Sequence, residues 1–170
     1  MNSNVKLYSL SLRDVRTYAF AALFIVGNIV FPQLCHALMP KGGLIFLPIY
    51  FFTLIGAYKY GAKVGLLTAL LSPIINSAFF GMPPVSALPM IVMKGVLLAC
   101  AASVIANRTK SVSIFAILAV VLMYQVVGCS IEWAVKGSVM AGVQDFRLGV
   151  PGMLIQVIGG WAFIKFILKK

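Results

Sequence analysis

The chain has 170 residues, of which 62% are hydrophobic and 10% are charged, and its mean hydropathy is +1.05. A soluble globular domain carries about 25% charged residues, and an aqueous fold of this composition would expose large apolar patches. A soluble enzyme is therefore disfavoured. The 14 Lys and Arg outnumber the 3 Asp and Glu and give a net charge of +11. These cations interrupt apolar runs and form no basic stripe, so nucleic acid is not an expected partner.

Breaker residues divide the chain into six predicted transmembrane helices, the number that about 20 residues per span allows. The basic N-terminus and first apolar run resemble a signal peptide, but no small-residue cleavage site follows, which favours a first helix. The predicted helices cover about 13–37, 44–58, 63–80, 87–106, 112–131 and 149–167. A more polar stretch precedes the last helix. Without linkers or internal repeats, residues 1–170 are predicted to form one compact all-α domain.

The distribution of basic residues predicts that both termini are cytoplasmic. Ten cations fall on the side of the N-terminus: Lys6, Arg13, Arg16, Lys59, Lys63, Arg108, Lys110, Lys165, Lys169 and Lys170. The outer loops contain Lys41, Lys136 and Arg147, while Lys94 lies within a span. This asymmetry follows the positive-inside rule for membrane proteins.

The sequence lacks the motifs of the common catalytic and metal sites. It contains no phosphate-binding G-x-x-x-x-G-K-[ST] loop, no G-x-S-x-G elbow and one histidine, which excludes an H-E-x-x-H site. Its three cysteines, Cys35, Cys100 and Cys129, form no C-x-x-C pair and are interpreted as small packing residues. We therefore expect no enzymatic activity, metal or cofactor, and any transport energy must come from a gradient or a partner.

Four polar residues fall at a similar depth in four different predicted helices. Lys94 lies about 10 Å from the outer end of its helix at 1.5 Å per residue, and Asn76, Gln125 and Gln156 lie at comparable depths. Polar groups inside a membrane are costly and suggest a functional site, so these residues predict a polar pocket open to the outside. Alternatively, Lys94 extends to the interface or pairs with Glu132, and the amides form interhelical hydrogen bonds.

Three residues at the outer ends of the helices are further candidates for the rim of this pocket. Glu132 and Trp133 follow the fifth predicted helix, and His36 ends the first. Trp133 either stacks on a ligand ring or anchors the interface, and His36 is either a ligand contact or an interfacial residue. Lys94 favours a carboxylate or phosphate and Glu132 favours a cation, which leaves a slight preference for an anionic or zwitterionic ligand.

Small residues recur every four positions through the second and third predicted helices: Thr53, Ala57, Gly61, Gly65 and Ala69. This spacing allows two helix backbones to approach closely. It also crosses the predicted turn at Gly61, so either tight packing or turn formation explains it.

Four short motifs stand out in the first half of the chain: G-G-L-I-F-L-P at 42–48, G-A-K-V-G at 61–65, S-P at 72–73 and F-G-M-P-P at 80–84. Together they resemble the substrate-binding (S) components of energy-coupling factor transporters. The resemblance implies capture of a vitamin-like ligand near the outer face of a bacterial inner membrane. It also implies a transmembrane coupling subunit and two ATPase subunits as partners, with the S component toppling to release its ligand inside.

In this family the pocket is lined by loop 1, the helix 4 region, loop 5 and helix 6. The resemblance thus assigns Met39 to Gly43, Lys94, Glu132 with Trp133, and Gln156 to the pocket. The first helix departs from the family because it lacks the Ala-x-x-x-Ala pattern that many members use to dock the coupling subunit. Alternatives are a membrane scaffold of the rod-shape-determining type and a stand-alone small permease, and the identity of the vitamin stays open.

Overall fold

The computed structural model describes residues 5–142 and 144–168, with the side chains of 141, 142, 144 and 145 left out of the description. The structure is 83% helical, and the described residues contain no β-strand. Within the part of the chain that the structure describes, five helices are long and apolar enough to span a membrane. They pack into a compact bundle, which confirms the predicted all-α membrane-embedded class.

The helices, labelled in chain order, are α1 (Val15–Leu38), α2 (Gly42–Phe46), α3 (Phe51–Tyr60), α4 (Ala62–Phe80), α5 (Leu88–Thr109), α6 (Ile114–Lys136), α7 (Val139–Gly142), α8 (Gln144–Leu148) and α9 (Val150–Ile167). The last helix alternates α-helical with π-helical turns, the π segments being Ile155–Gly159 and Phe163–Ile167. Short 3₁₀ turns precede α3 and α5. The long helices α1, α4, α5 and α9 lie within three residues of their predicted bounds.

The structure divides the second predicted helix, 44–58, into two pieces. Helix α2 ends at Phe46, Leu47 adopts a left-handed backbone with φ of 46°, and a 3₁₀ turn from Pro48 leads into α3. Proline lacks an amide proton and disfavours right-handed helix in the preceding residue, so the helix stops before Pro48. Helix α3 then has ten residues, about 15 Å of rise, which is shorter than the roughly 30 Å hydrocarbon core of a bilayer.

The other differences lie near the C-terminus. Helix α6 continues to Lys136, five residues beyond its predicted end at 131. Glu132 and Trp133 therefore lie on a helix and not in a loop. The polar stretch that follows contains the short helices α7 and α8.

Helix α3 forms the centre of the bundle and packs against α1, α4 and α5. All of its residues except Phe52 are buried. The buried Asn28 side chain joins it to α1 and α4, because its amide donates to Thr53 Oγ1 at 3.0 Å and Ser72 Oγ at 3.3 Å. Its carbonyl oxygen accepts the Phe52 amide at 3.1 Å. These bonds fix the relative rotation of three helices in the membrane interior.

The repeat of small residues from Thr53 to Ala69 provides both a turn and a tight helix contact, the two explanations that the sequence left open. Gly61 forms the turn between α3 and α4 with φ of +100°, a conformation that favours glycine. Gly65 makes the close approach, since a Cβ there would lie 2.3 Å from Ala57 Cβ and 3.1 Å from Ala99 Cβ. Gly61 thus forms the turn and Gly65 allows the tight packing, and the two are successive members of the repeat of small residues.

Candidate functional site

Two adjoining cavities lie at the end of the bundle formed by α2, the α4–α5 loop and the last turn of α6, here called the α2 end. The first, of about 250 Å³, is the charged cavity, because Lys94, Glu132 and Lys136 line it. The second, of about 330 Å³, is the apolar cavity, because proline, methionine, leucine, isoleucine and alanine form most of its lining. The two cavities share the wall residues Gly43, Leu44, Ile49, Ala87 and Ile91.

An ion pair between α5 and α6 forms one side of the charged cavity. Lys94 Nζ lies 2.5 Å from Glu132 Oε2, and the two residues are only 1% and 8% exposed. The second carboxylate oxygen of Glu132 accepts a hydrogen bond of 2.5 Å from Lys136, one turn further along α6. Lys94 therefore pairs with Glu132, one of the alternatives that the sequence left open, and it also faces the cavity.

A glycine on α6 makes room for the Lys94 side chain. A Cβ at Gly128 would lie 2.9 Å from Lys94 Cγ and 3.3 Å from Cε. The lysine stem therefore passes directly over the α6 backbone before its ammonium reaches Glu132. Gly128 lies one turn before Glu132, so both residues are on the face of α6 that contacts α5.

Asn76 and His36 line the apolar cavity, where few other polar side chains are present. Asn76 is 1% exposed, and its carbonyl oxygen accepts a hydrogen bond of 3.0 Å from Gln33 Nε2. His36 Nδ1 donates to the Pro32 carbonyl at 2.8 Å, so in the neutral ring Nε2 is an acceptor. The imidazole lies against Gly43, where a Cβ would come within 2.6 Å of the ring.

Gln125 and Gln156 are fully buried but line neither of these two cavities. Gln156 lies in a π-helical turn, and its carbonyl oxygen accepts the Tyr124 hydroxyl at 3.0 Å. Tyr124 in turn packs against Tyr50, which lines the charged cavity, with 5.6 Å between ring centroids. Both amide atoms of Gln125 and the Gln156 amide nitrogen have no hydrogen-bond partner in the described part of the chain. Such orphaned buried groups are uncommon.

Trp133 lies apart from the other candidates. Its side chain is 53% exposed and lines a separate cavity of about 220 Å³ with Cys129 and Phe146. That cavity shares no lining residue with the charged cavity. Adjacent residues on a helix point about 100° apart, which explains why Glu132 and Trp133 face different surroundings. The expected common rim of Glu132 and Trp133 is thus divided between two cavities.

The structure brings together residues that the sequence analysis did not select. Lys136 joins Glu132, Tyr50 links the charged cavity to Tyr124, and Gly128 accommodates Lys94. The spacing of four between Glu132 and Lys136 on one helix was a usable signal for the first of these. No sequence signal indicates the other two, because each depends on how a second helix packs.

Comparison of the chain with protein-family models, characterised proteins and solved structures gave no match. The described residues contain no group of three or more His, Cys, Asp and Glu side chains suited to hold a metal ion. What the geometry defines is a pair of cavities at one end of a membrane-embedded helical bundle, with a buried ion pair in one of them.

Proposed function

We propose that this protein is the substrate-binding component of an energy-coupling factor transporter and captures a vitamin or related micronutrient. The observation that carries this proposal is the buried Lys94–Glu132 pair lining a cavity of about 250 Å³ at one end of an apolar helical bundle. Ionisable side chains within membrane helices are costly and mark ligand or ion sites. With the adjoining cavity of about 330 Å³, the available space falls in the range of small-molecule sites.

The proposed topology has six crossings with both termini in the cytoplasm, and α2 and α3 together make the second crossing. The charge distribution of the sequence supports this orientation. The α2 end contributes Lys41, Lys136 and Arg147, whereas most cations lie towards the opposite end. In this orientation the two cavities are at the outer face of a bacterial cytoplasmic membrane, where a ligand would first meet the protein.

The proposal assigns ATP hydrolysis to partner subunits and no catalysis to this chain. The partners are a transmembrane coupling subunit and two ATPases, as the resemblance of the sequence implies. The chain itself binds the micronutrient and, together with that module, delivers it into the cell. The absence of a phosphate-binding loop from the sequence is consistent with this division.

The test is mass spectrometry of small molecules released from gently purified protein. A ligand with nanomolar affinity, about −12 kcal/mol, survives purification and is expected at one molecule per chain. Uptake of that molecule is then measured in cells with and without a co-expressed coupling module. We expect uptake only when the module is present.

Two results would replace the proposal with one of its alternatives. A protein that is empty, and stays empty after incubation with a vitamin panel, favours a scaffold of the rod-shape-determining type. Uptake without the coupling module favours a stand-alone small permease. Either result contradicts the assignment as an S component.

A further inference from the structure

The two cavities at the α2 end differ sharply in chemistry although they share a wall. Lys94, Glu132 and Lys136 all line the charged cavity. Nine of the residues around the apolar cavity carry apolar side chains: Pro32, Leu44, Pro48, Ile49, Met82, Pro83, Pro84, Ala87 and Ile91. The rest of its lining is Gln33, His36, Lys41, Gly43 and Asn76, so the apolar cavity is predominantly and not wholly apolar. A ligand that fills both cavities is matched best by a charged group in the first and an apolar body in the second.

The residues that line the charged cavity decide the sign of that group. They include two cations, Lys94 and Lys136, and one anion, Glu132. Because Glu132 contacts both lysines, one positive charge remains in excess. This excess favours an anionic head group, since Lys94 is buried and charges interact more strongly where the dielectric is low.

We propose that the ligand is a small organic anion with an elongated apolar body. Its carboxylate or phosphate binds in the charged cavity beside Lys94 and Lys136, and its apolar body extends over Ala87 into the apolar cavity. This inference rests on the proposed function, since it names the chemical class of the captured molecule. The wall residues that the two cavities share are all small or apolar, so none of them opposes an apolar body that passes from one cavity to the other.

The test varies head group and body separately, using purified protein in lipid nanodiscs with empty nanodiscs subtracted. Octanoate, octyl phosphate, octan-1-ol and octylamine share one body and differ in head group. Binding is measured by native mass spectrometry and thermal shift. We expect binding of octanoate, octyl phosphate or both, and none of the alcohol or amine. The two anionic probes distinguish a carboxylate site from a phosphate site.

A second series keeps the carboxylate and lengthens the body from butanoate through hexanoate to octanoate. Each CH₂ placed in the apolar cavity should improve affinity about fourfold, from the transfer free energy of a methylene group. The variant Ala87→Leu fills the shared wall and should abolish this chain-length dependence while butanoate still binds. Its matched control is Ala78→Leu, because Ala78 is exposed near the end of α4 and lines neither cavity.

The variant Lys94→Met tests whether Lys94 binds the head group. Its matched control is Lys63→Met, which removes an exposed lysine from α4. The first should lower octanoate affinity at least tenfold and the second should leave it unchanged. If Lys94→Met fails to fold, the double variant Lys94→Met/Glu132→Gln removes both charges of the pair and takes its place.

Equal binding of octylamine, no binding of any anionic probe, or a chain-length dependence untouched by Ala87→Leu would overturn the inference. Release of a neutral or cationic micronutrient from the purified protein would overturn it while leaving the proposed function standing. A protein that binds no micronutrient at all contradicts the proposed function itself.

Discussion

Two buried lysines occupy opposite ends of the bundle and have different surroundings. At the α2 end, Lys94 pairs with Glu132 across a helix interface and lines a cavity. At the other end, Lys59 is 0% exposed and its ammonium donates to the Lys6 carbonyl at 2.5 Å, with Tyr8 nearby. Lys59 lines neither of the cavities described at the α2 end. A cavity of about 330 Å³ lies at this end as well, but Tyr8 and Tyr60 line it and Lys59 does not. Burial of a cation is therefore common to both ends, and what distinguishes Lys94 is that its side chain lines a cavity.

The segment around Lys59 explains its structural character. The extended N-terminal residues pair with the end of α3, because the Tyr8 amide donates to the Lys59 carbonyl at 2.8 Å and the Leu10 amide donates to the Tyr60 carbonyl at 3.1 Å. The Tyr8 and Tyr60 rings stack with centroids 5.8 Å apart. Lys59 thus fastens the N-terminal segment to the bundle, although its position near a predicted turn suggested a cytoplasmic loop cation.

The largest expected effect is on ligand affinity in Lys94→Met. A hydrogen bond to a charged group contributes about 1.5–3 kcal/mol, so loss of the ammonium should weaken binding by a factor of roughly 10 to 150. Equilibrium binding of the released ligand to protein in nanodiscs measures this, with Lys63→Met as control. Glu132 keeps its contact with Lys136, so the variant should fold. Unchanged affinity would make Lys94 a structural residue like Lys59.

The same substitution at the other buried lysine, Lys59→Met, should lower the stability of the protein and leave ligand affinity unchanged. Removing the ammonium leaves the Lys6 carbonyl without this donor, at a cost of about 1–3 kcal/mol. Thermal unfolding in nanodiscs and ligand titration are measured on the same samples. A loss of ligand affinity at unchanged stability would contradict the distinction between the two lysines.

A smaller effect is expected from Gly128→Ala, which acts on the site without removing a charge. The new methyl group would lie within 2.9 Å of Lys94 Cγ and displace the ammonium from Glu132. We expect ligand affinity to fall about tenfold, or about 1.4 kcal/mol. Alanine favours helix over glycine by about 1 kcal/mol, so a weakened helix cannot explain such a loss. Unaltered binding would show that the lysine stem moves aside freely.

The smallest effect is expected from Trp133→Ala. Its side chain is mostly exposed and lines a cavity separate from that of Lys94, so ligand affinity should stay the same. The same titration with Trp161→Ala as a second tryptophan control checks this. If ligand affinity fell substantially in Trp133→Ala and not in Trp161→Ala, the Trp133 ring would have to stack on the ligand after all.

The sequence predicted that the candidate polar residues are buried, but it did not predict which cavity each of them lines. Lys94, Asn76, Gln125 and Gln156 are all buried, as expected for polar residues turned into a bundle. Their surroundings nevertheless differ, because Lys94 and Asn76 line different cavities and the two glutamines line neither. Sequence position gives depth directly, since each residue advances a helix by 1.5 Å, but rotation is set by packing partners far away in the chain.

The amino-acid sequence alone was enough to predict the membrane-embedded all-α class and the approximate bounds of most helices. Both are local properties, because apolar length and breaker residues act within one segment. The end of α2 before Pro48 is also a local effect, although the prediction of one helix over 44–58 missed it. Two other features depend on tertiary packing: Gly128 makes room for the Lys94 stem, and Trp133 lines a different cavity from Glu132. These features arise where helices separated in sequence pack against one another, and side-chain volume at the contact fixes their rotation.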